Sequence, residues 1–238
     1  MILLAAALLP PFYLFYKIYQ KDRIEPESPR LITRLFLFGA LTTLAASVLE
    51  LAGTMILDTL GFNPNSTLYL LIDNFIVIAC AEEGVKRFAL KRLTWKNPEF
   101  NFLFDGVVYG AAVSLGFAAA ENIMYVAGFG GLGTAFIRAF TAIPLHCITG
   151  IYMGHFYGMA KYAESRRNPA AMKVYMKQSF LLPVLLHGLY DFLASLESDT
   201  ATLAFYAVVI VIEVVALRQL NTYAVQDTNI EKQDQPWV

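Results

Sequence analysis

Charged residues are scarce in this sequence. Asp, Glu, Lys and Arg make up 16% of its 238 residues, whereas a soluble domain usually has about 25%, and 57% of the residues are hydrophobic. This composition indicates a protein that crosses a membrane several times. The net charge is −1 and no block of like charge occurs, so the chain has no general electrostatic attraction for nucleic acid.

Several sequence motifs are also absent. The only two cysteines, Cys80 and Cys147, lie in apolar runs, which argues against a disulfide framework. The sequence contains no Gly-rich phosphate loop and no internal repeat. It lacks an H-E-x-x-H helix, which excludes a standard zincin, and a Ser-based nucleophile elbow, which argues against a serine hydrolase.

Seven apolar segments reach about the 20 residues that an α-helix needs to cross a bilayer. No basic residue precedes the first segment and no small-residue cleavage site follows it, so we expect a retained span rather than a signal peptide. The sequence therefore predicts an all-α, polytopic transmembrane helical bundle of about seven to eight spans. We expect one membrane domain over residues 1–223 and a polar C-terminal tail over residues 224–238. The segments are residues 2–20, 34–56, 67–90, 105–127, 134–160, 178–196 and 201–220.

Basic residues are sorted between alternate connections of these segments. Five flank each of the first, third and fifth connections, whereas the second, fourth and sixth have none. Because Lys and Arg accumulate in cytoplasmic loops, this alternation predicts a protein of the cell membrane with its N-terminus outside and its C-terminus in the cytoplasm. Arg138, on the outer half of the fifth segment, is the one basic residue that the alternation does not explain.

Small residues recur at every fourth position of the fourth segment. Such rows let helix backbones approach closely, so we expect this segment to lie at the centre of the bundle. One row is Gly106, Gly110 and Ser114, and the other is Ala112, Gly116 and Ala120.

Two adjacent carboxylates, Glu82 and Glu83, lie in the third segment after the apolar run 68–79. Ionisable groups in hydrocarbon are costly, so their default interpretation is a functional site that faces the protein interior. Lys86 follows Glu82 by four residues. Arg87 follows Glu83 at the same spacing, and on a helix each pair shares a face and can form an ion pair. The alternative is a cluster of salt bridges that only marks the end of a helix.

More ionisable groups lie deep in the fourth and fifth segments. Glu121, next to Asn122, has no cation near it in sequence, so it requires protonation or a partner from another helix. His146 lies near the middle of the fifth segment, two helical turns after Arg138. A single intramembrane histidine is also compatible with a hydrogen-bonded structural role.

The sixth segment carries His187 near its middle, with Asp191 four residues later. On a helix both side chains face the same way, so Asp191 can orient the imidazole. His155, near the basic end of the fifth segment, is interpreted as structural.

The depths of these residues favour a common site. At about 1.5 Å rise per residue, His146 and His187 lie near the midplane of the bilayer. Glu82 and Glu83 lie about 7 Å to the inner side and Glu121 a similar distance to the outer side, by the same rise. Each charge would cost about 2.5–3.5 kcal/mol at midspan if it faced lipid. We therefore expect these side chains to meet in one water-accessible cavity, which requires a tilted or broken helix.

Glutamate and histidine together can activate water. A carboxylate accepts the proton, and a second acid or an imidazolium stabilises the oxyanion and protonates the leaving amine. The same residues could also hold zinc through two His and one Glu, with another Glu as the base. A proton-coupled transporter would place similar groups at midspan, but it would be expected to show inverted repeats. A scaffold that binds partner helices would explain only the small residues of the fourth segment.

Four short motifs lie in order on successive segments: Glu82–Glu83–x–x–Lys86, Phe117–x–x–x–Glu121–Asn122–x–x–Tyr125, a His in the next segment, and His187–x–x–x–Asp191. In this order they resemble the PrsW family of intramembrane proteases. That family is distantly similar to the CAAX prenyl endopeptidases, whose pattern reads E-E-x-x-x-R, F-x-x-x-H and H-x-x-x-N. This chain departs from the endopeptidase pattern at Glu121, which replaces His, and at Asp191, which replaces Asn.

The resemblance implies an endopeptidase that cleaves membrane-anchored proteins, such as the anti-sigma factors of bacterial stress signalling. It implies that Glu82 is the water-activating base, with Glu83 beside it. By the same resemblance, His146 and His187 serve the oxyanion and the leaving group. The predicted catalytic set is completed by Glu121 and Asp191, with Lys86, Arg87, Asn122 and Arg138 in supporting positions.

Enzymes of this kind have been described both as metal-dependent and as glutamic. We expect no metal cofactor, because adjacent glutamates on a helix point about 100° apart and cannot easily face one ion. The alternative is a Zn²⁺ ion held by His146, His187 and Glu83. The expected partners are a membrane-anchored protein substrate and the lipid bilayer, and no nucleic acid.

Overall fold

The computed structural model describes residues 2–231. Within that range the chain forms nine α-helices, one π-helical segment and no β-strand, which confirms the all-α prediction. The elements are α1 Ile2–Tyr19, α2 Pro29–Thr59, α3 Thr67–Ile72, the π-helical segment Asp73–Ala79, α4 Cys80–Thr94, α5 Leu103–Phe129, α6 Gly131–Phe140, α7 Ala142–Ser165, α8 Pro169–Ala194 and α9 Asp199–Val225.

Polar residues fix where four of the helices begin. The side chains of Ser28, Ser66, Asn168 and Ser198 each accept a hydrogen bond from a backbone N–H in the first turn of α2, α3, α8 and α9. Such caps satisfy a donor that has no partner within the helix. Proline follows the cap in α2 and α8, where its missing N–H costs no hydrogen bond.

Among the described residues, five helical stretches are long and apolar enough to cross a membrane. They support the predicted membrane bundle, and they are residues 2–19, 29–59, 103–128, 131–165 and 199–225. The two remaining predicted segments, 67–90 and 178–196, are helical as well and carry most of the charged residues of the candidate site. The apolar stretches of α1, α2 and α9 are largely exposed, as suits helices that face lipid.

Helix α5 lies at the centre of the bundle, as its small residues predict. In its apolar stretch 89% of the residues are buried, against 22% in α2 and α9. Backbones of α5 and α7 touch, because a Cβ added to Gly110 would overlap the carbonyl oxygen of Gly150. A Cβ added to Gly154 would likewise overlap the carbonyl oxygen of Gly106. Only glycine lets two helices approach this closely.

The segment predicted as one continuous span, residues 67–90, is interrupted by the π-helical turns of Asp73–Ala79. A π-helix bonds each N–H to the carbonyl five residues earlier, so it rotates the following helix relative to the preceding one. Asn74 donates from its side chain to the carbonyl of Leu70 at 2.7 Å within this region. Helix α4 starts directly afterwards, with Glu82 and Glu83 in its first turn.

Residues that follow α9 return to the start of α5. The N–H of Leu103 donates to the carbonyl of Thr228 at 3.0 Å, and the N–H of Ile230 donates to the carbonyl of Asn101 at 2.7 Å. Ile230 is buried in the core. The rest of the predicted tail, residues 232–238, lies outside the described residues.

Candidate active site

One cavity of about 490 Å³ opens between α2, the π-helical segment and α4 to α8. Five of the six predicted catalytic residues line it, together with Arg138. The sixth, Glu83, lies behind the wall and contacts His187. The five lining residues are Glu82, Glu121, His146, His187 and Asp191.

Glu82, Glu83 and Lys86 form a buried ionic group on α4. The Nζ atom of Lys86 lies 3.0 Å from Oε2 of Glu82 and 2.9 Å from Oε1 of Glu83. All three residues are almost completely buried. The spacings of three and four residues bring both carboxylates to one ammonium. Neither carboxylate therefore faces lipid without a partner.

His187 contacts both glutamates and Asp191. Its Nδ1 atom lies 2.9 Å from Oε1 of Glu83, a hydrogen-bond distance. Its Nε2 atom lies 3.1 Å from Oδ2 of Asp191 and 3.8 Å from Oε2 of Glu82. The contact with Asp191 has an ion-pair distance but lacks the alignment of a hydrogen bond. Glu83 therefore holds the imidazole by a hydrogen bond, and Asp191 adds a charge beside it.

His146 lies between Lys86 and Glu121. Its Nδ1 atom is 3.0 Å from Nζ of Lys86, and its Nε2 atom is 3.0 Å from Oε2 of Glu121. Because Nδ1 accepts from an ammonium, Nε2 carries the ring proton and donates it to Glu121. The rings of His146 and His187 are nearly perpendicular, with centroids 5.2 Å apart. Phe117 closes the group, with its ring centroid 4.0 Å from Nζ of Lys86.

Arg138 supplies the cation that Glu121 lacks in sequence. It forms an ion pair with Glu121, and its Nε atom donates to Oδ1 of Asn122 at 2.9 Å. Its guanidinium lies 4.0 Å from the ring centroid of Tyr125. Asn122 in turn donates to the carbonyl of Ala7 at 2.9 Å. The basic residue that charge alternation leaves unexplained is therefore explained by a buried carboxylate on the neighbouring helix.

Arg87 does not reach this group. Its Nε atom donates to Oγ of Ser179 at 3.1 Å, and its Nη2 atom donates to the carbonyl of Met176 at 2.8 Å. The ion pair that the spacing allows between Glu83 and Arg87 is not formed, because Glu83 pairs with Lys86 instead. Arg87 attaches α4 to α8.

Two further residues with titratable side chains line the cavity and were missed by the sequence analysis. Glu50 comes from α2 and Tyr190 from α8. Glu50 is the only acidic residue in the predicted span 34–56. Because a carboxylate inside a membrane is costly, its position alone indicates a residue that faces the protein interior. His155, interpreted as structural, stacks on the ring of Tyr223 with centroids 3.6 Å apart and does not line the cavity.

Four residues direct donor atoms toward one region. One ligand atom each from Glu82, Glu83, His146 and His187 lies within 4.8 Å of the others. The expectation that adjacent glutamates cannot face one ion is therefore wrong, because their long side chains converge from the helix. Imidazole and carboxylate are ligands that zinc accepts, so these residues fit a metal ion in type and spacing. The ammonium of Lys86, within 3.0 Å of three of them, occupies the same donors.

Comparison with known proteins gives consistent matches over most of the chain. Residues 27–217 match a family model described as PrsW family intramembrane metalloprotease. The chain is 35% identical over 191 residues to Protease PrsW of Geobacillus kaustophilus, which covers 80% of this chain and 79% of that protein. It is 34% identical over 219 residues to Protease PrsW of Oceanobacillus iheyensis, with 92% and 94% covered. The same identity and length hold for Protease PrsW of Halalkalibacterium halodurans, with 92% and 95% covered. No solved structure matches the chain significantly.

Proposed function

Because the chain belongs to the PrsW family of intramembrane proteases, we propose that its cavity hydrolyses a peptide bond of membrane-anchored protein substrates. The position of Glu82 carries the proposal. Of the two adjacent glutamates, Glu82 alone lines the cavity, while Glu83 is held behind it by Lys86 and His187. A carboxylate at the cavity wall is able to accept a proton from water.

Glu82 is the general base in this proposal. It takes a proton from a water molecule while the water oxygen attacks the carbonyl carbon of the scissile bond. His187, whose Nε2 atom lies 3.8 Å from Glu82, stabilises the oxyanion that develops. The proton that Glu82 has taken passes to the leaving amine, and His146, which lines the same cavity, holds the leaving group as it is protonated.

Each histidine has a glutamate that positions it. Glu83 bonds Nδ1 of His187, and Glu121 bonds Nε2 of His146. Arg138 fixes Glu121 in turn. Glu121 occupies the position at which the endopeptidase pattern has a histidine. In this proposal Glu121 orients the imidazole of His146 and does not take over the role of a histidine.

The family description names metalloproteases, and the donor set supports a metal as an alternative to a metal-free site. We propose that Glu83, His146 and His187 would hold the ion, with Glu82 left as the base. A metal there would polarise the scissile carbonyl as a Lewis acid.

The proposed substrates are single-span membrane proteins, with anti-sigma factors as the class in bacteria. The proposed location is the cell membrane, with the N-terminus outside and the C-terminus in the cytoplasm, on the basis of the sorted basic residues. Cysteines introduced at Ser165 and Gly131 should react with a membrane-impermeant reagent from opposite sides. Labelling of both from one side would contradict this orientation.

Cleavage of a single-span substrate by the full-length protein in detergent tests the function. Glu82→Gln keeps the shape and hydrogen bonding of the side chain but cannot accept the proton, so the rate should fall by at least about 10²–10⁴-fold. Glu197→Gln changes an exposed acid after α8 and should cleave like wild type, with thermal melting as the check on folding. Full cleavage by Glu82→Gln would refute the assigned base. A wild type that cleaves nothing but moves protons into liposomes would favour the transporter.

A further inference from the structure

A second group of buried carboxylates lies outside the cavity. Asp22 and Glu27 belong to the connection between α1 and α2, and Asp105 belongs to the first turn of α5. Their exposed fractions are 6%, 5% and 1%. One oxygen atom from each lies within 4.8 Å of the others. Three acids this close repel one another unless protons or a cation lie between them, and we name these three residues the acidic group.

Two members of the acidic group carry buried oxygens without a partner. Asp105 accepts two backbone N–H groups at 2.9 and 2.7 Å with Oδ2, and its Oδ1 atom has no hydrogen bond within the described chain. Oδ2 of Asp22 is also buried and has no hydrogen bond there. The carboxylate of Glu27 accepts a hydrogen bond from the hydroxyl of Tyr109 at 2.6 Å. A buried carboxylate oxygen without a donor or cation is costly, so these atoms point to a missing positive ligand.

The described part of the chain offers no basic side chain within ion-pair distance of the acidic group. The nearby charges are further acids, Asp227 beside Asp22 and Glu99 beside Glu27. The fold therefore gathers carboxyl groups in a place where the described residues supply no cation.

We propose that Asp22, Glu27 and Asp105 bind a divalent cation, for which Ca²⁺ is a better fit than Mg²⁺. Ca²⁺ takes oxygen ligands at about 2.3–2.6 Å in flexible geometry, so ligands on opposite sides of the ion lie about 4.6–5.2 Å apart. One oxygen from each of the three residues lies within 4.8 Å of the others, so the three can share one such ion. Mg²⁺ requires ligands at about 2.0–2.1 Å in a nearly octahedral arrangement and keeps several waters, which three buried carboxylates suit less well.

A cation at this site joins three parts of the chain. Two ligands come from the connection between α1 and α2, and the third comes from α5. The residues that follow α9 are attached to the same place, because Oδ1 of Asp227 accepts the N–H of Phe104 at 2.8 Å. Binding would therefore stabilise this end of the bundle, and none of the three ligands lines the cavity.

The test uses full-length protein in detergent, freed of metal, with equilibrium dialysis against Ca²⁺ and thermal melting. We expect one saturable Ca²⁺ per chain, a higher melting temperature with Ca²⁺, and displacement by Mg²⁺ only at higher concentration. Glu27→Gln removes one charge but keeps an oxygen for Tyr109, so it should weaken Ca²⁺ binding at least about tenfold. Glu25→Gln, which changes an exposed acid of the same connection, should bind like wild type.

Four results would overturn the proposal. The first is the absence of saturable Ca²⁺ binding by wild type, and the second is unchanged binding by Glu27→Gln. The third is loss of Ca²⁺ binding by His187→Ala, because it would move the ion to the cavity. The fourth is a wild type that gains stability between about pH 8 and about pH 6 but none from Ca²⁺, because the acids would then share protons.

Discussion

Two groups of buried carboxylates in this bundle are neutralised in different ways. In the cavity, Glu82 and Glu83 pair with Lys86, and Glu121 pairs with Arg138. In the acidic group, the described residues provide no such cation. The difference indicates that the cavity holds its arrangement with charges of the chain, whereas the acidic group depends on protons or an ion from solution. Four experiments separate these two modes.

The largest effect is expected in the cavity, from removal of an imidazole. His187→Ala takes away the group proposed to stabilise the oxyanion, so kcat/KM for a single-span substrate should fall by about 10²–10⁴-fold. Asp191→Asn keeps the size of the side chain and an oxygen beside the ring, so its loss should be much smaller. His155→Ala, outside the cavity lining, should cleave nearly like wild type. Severe loss in His155→Ala with full activity in His187→Ala would reverse the assignment.

The second effect concerns stability. Lys86→Met removes the cation of a buried pair and leaves Glu82 and Glu83 without it, so the free energy of unfolding should fall by about 3–5 kcal/mol. Glu164→Gln is the control, because Lys161 and Glu164 form a pair of the same three-residue spacing at the surface. Its cost should stay within about 1 kcal/mol. If Lys86→Met and Glu164→Gln lower the free energy of unfolding by the same small amount, Lys86 does not stabilise the buried glutamates.

The third effect is on metal binding. The ammonium of Lys86 contacts the same donor atoms that a metal ion would use. The ammonium and the metal ion would therefore lie close together and repel each other. We expect Lys86→Met to bind Co²⁺ at least about tenfold more tightly than wild type, as measured by the visible absorption of the ion. Addition of His187→Ala should abolish the gain. Equal affinity of wild type and Lys86→Met would show that the lysine and the metal do not compete.

The smallest effect is a pH dependence of the acidic group. Burial raises the pKa of Asp22 to about 6. At pH values between the ordinary pKa of an aspartate and about 6, the folded state therefore binds more protons than the unfolded state. This contribution to stability is lost as the pH rises through about 6. In metal-free buffer, wild type should lose about 2–4 °C in Tm between about pH 5 and about pH 7.5, the shift that about 1 kcal/mol produces in a chain of this size.

Asp22→Asn should flatten that slope, and so should saturating Ca²⁺ in wild type. The difference between the slopes of wild type and Asp22→Asn isolates the acidic group from other titrating residues. Identical slopes would show that Asp22 does not contribute.

The meeting of Glu82, Glu121, His146 and His187 in one cavity follows from the cost of ionisable groups in lipid, so the sequence was sufficient to predict it. The spacing of four residues likewise predicts the contact between His187 and Asp191. The first prediction rests on the cost of a charge in lipid, which applies to any membrane helix. The second rests on the spacing of residues along one helix.

Other features had no signal of this kind. The π-helical turns of Asp73–Ala79 depend on packing against neighbouring helices, and spacing along an ideal helix cannot reveal them. The convergence of Glu82 and Glu83 does not follow from their Cβ directions, because these side chains are long enough to turn back on Lys86. The acidic group was missed because charges in a short connection are usually solvated, and Asp105 is far away in sequence.

Close backbone contacts restrict the ways in which the cavity can admit a substrate helix. Besides its contacts with α7, α5 touches α2 directly, because a Cβ on Gly116 would overlap the carbonyl oxygen of Phe36. Helices α2, α5 and α7 therefore form a frame that cannot spread without separating backbones that have no side chains between them. The π-helical segment and α8 meet through a side chain, the ring of Phe75 against Gly188. A rotation of that ring would change their separation, so we expect a transmembrane substrate segment to enter on the side of the cavity that these two elements form.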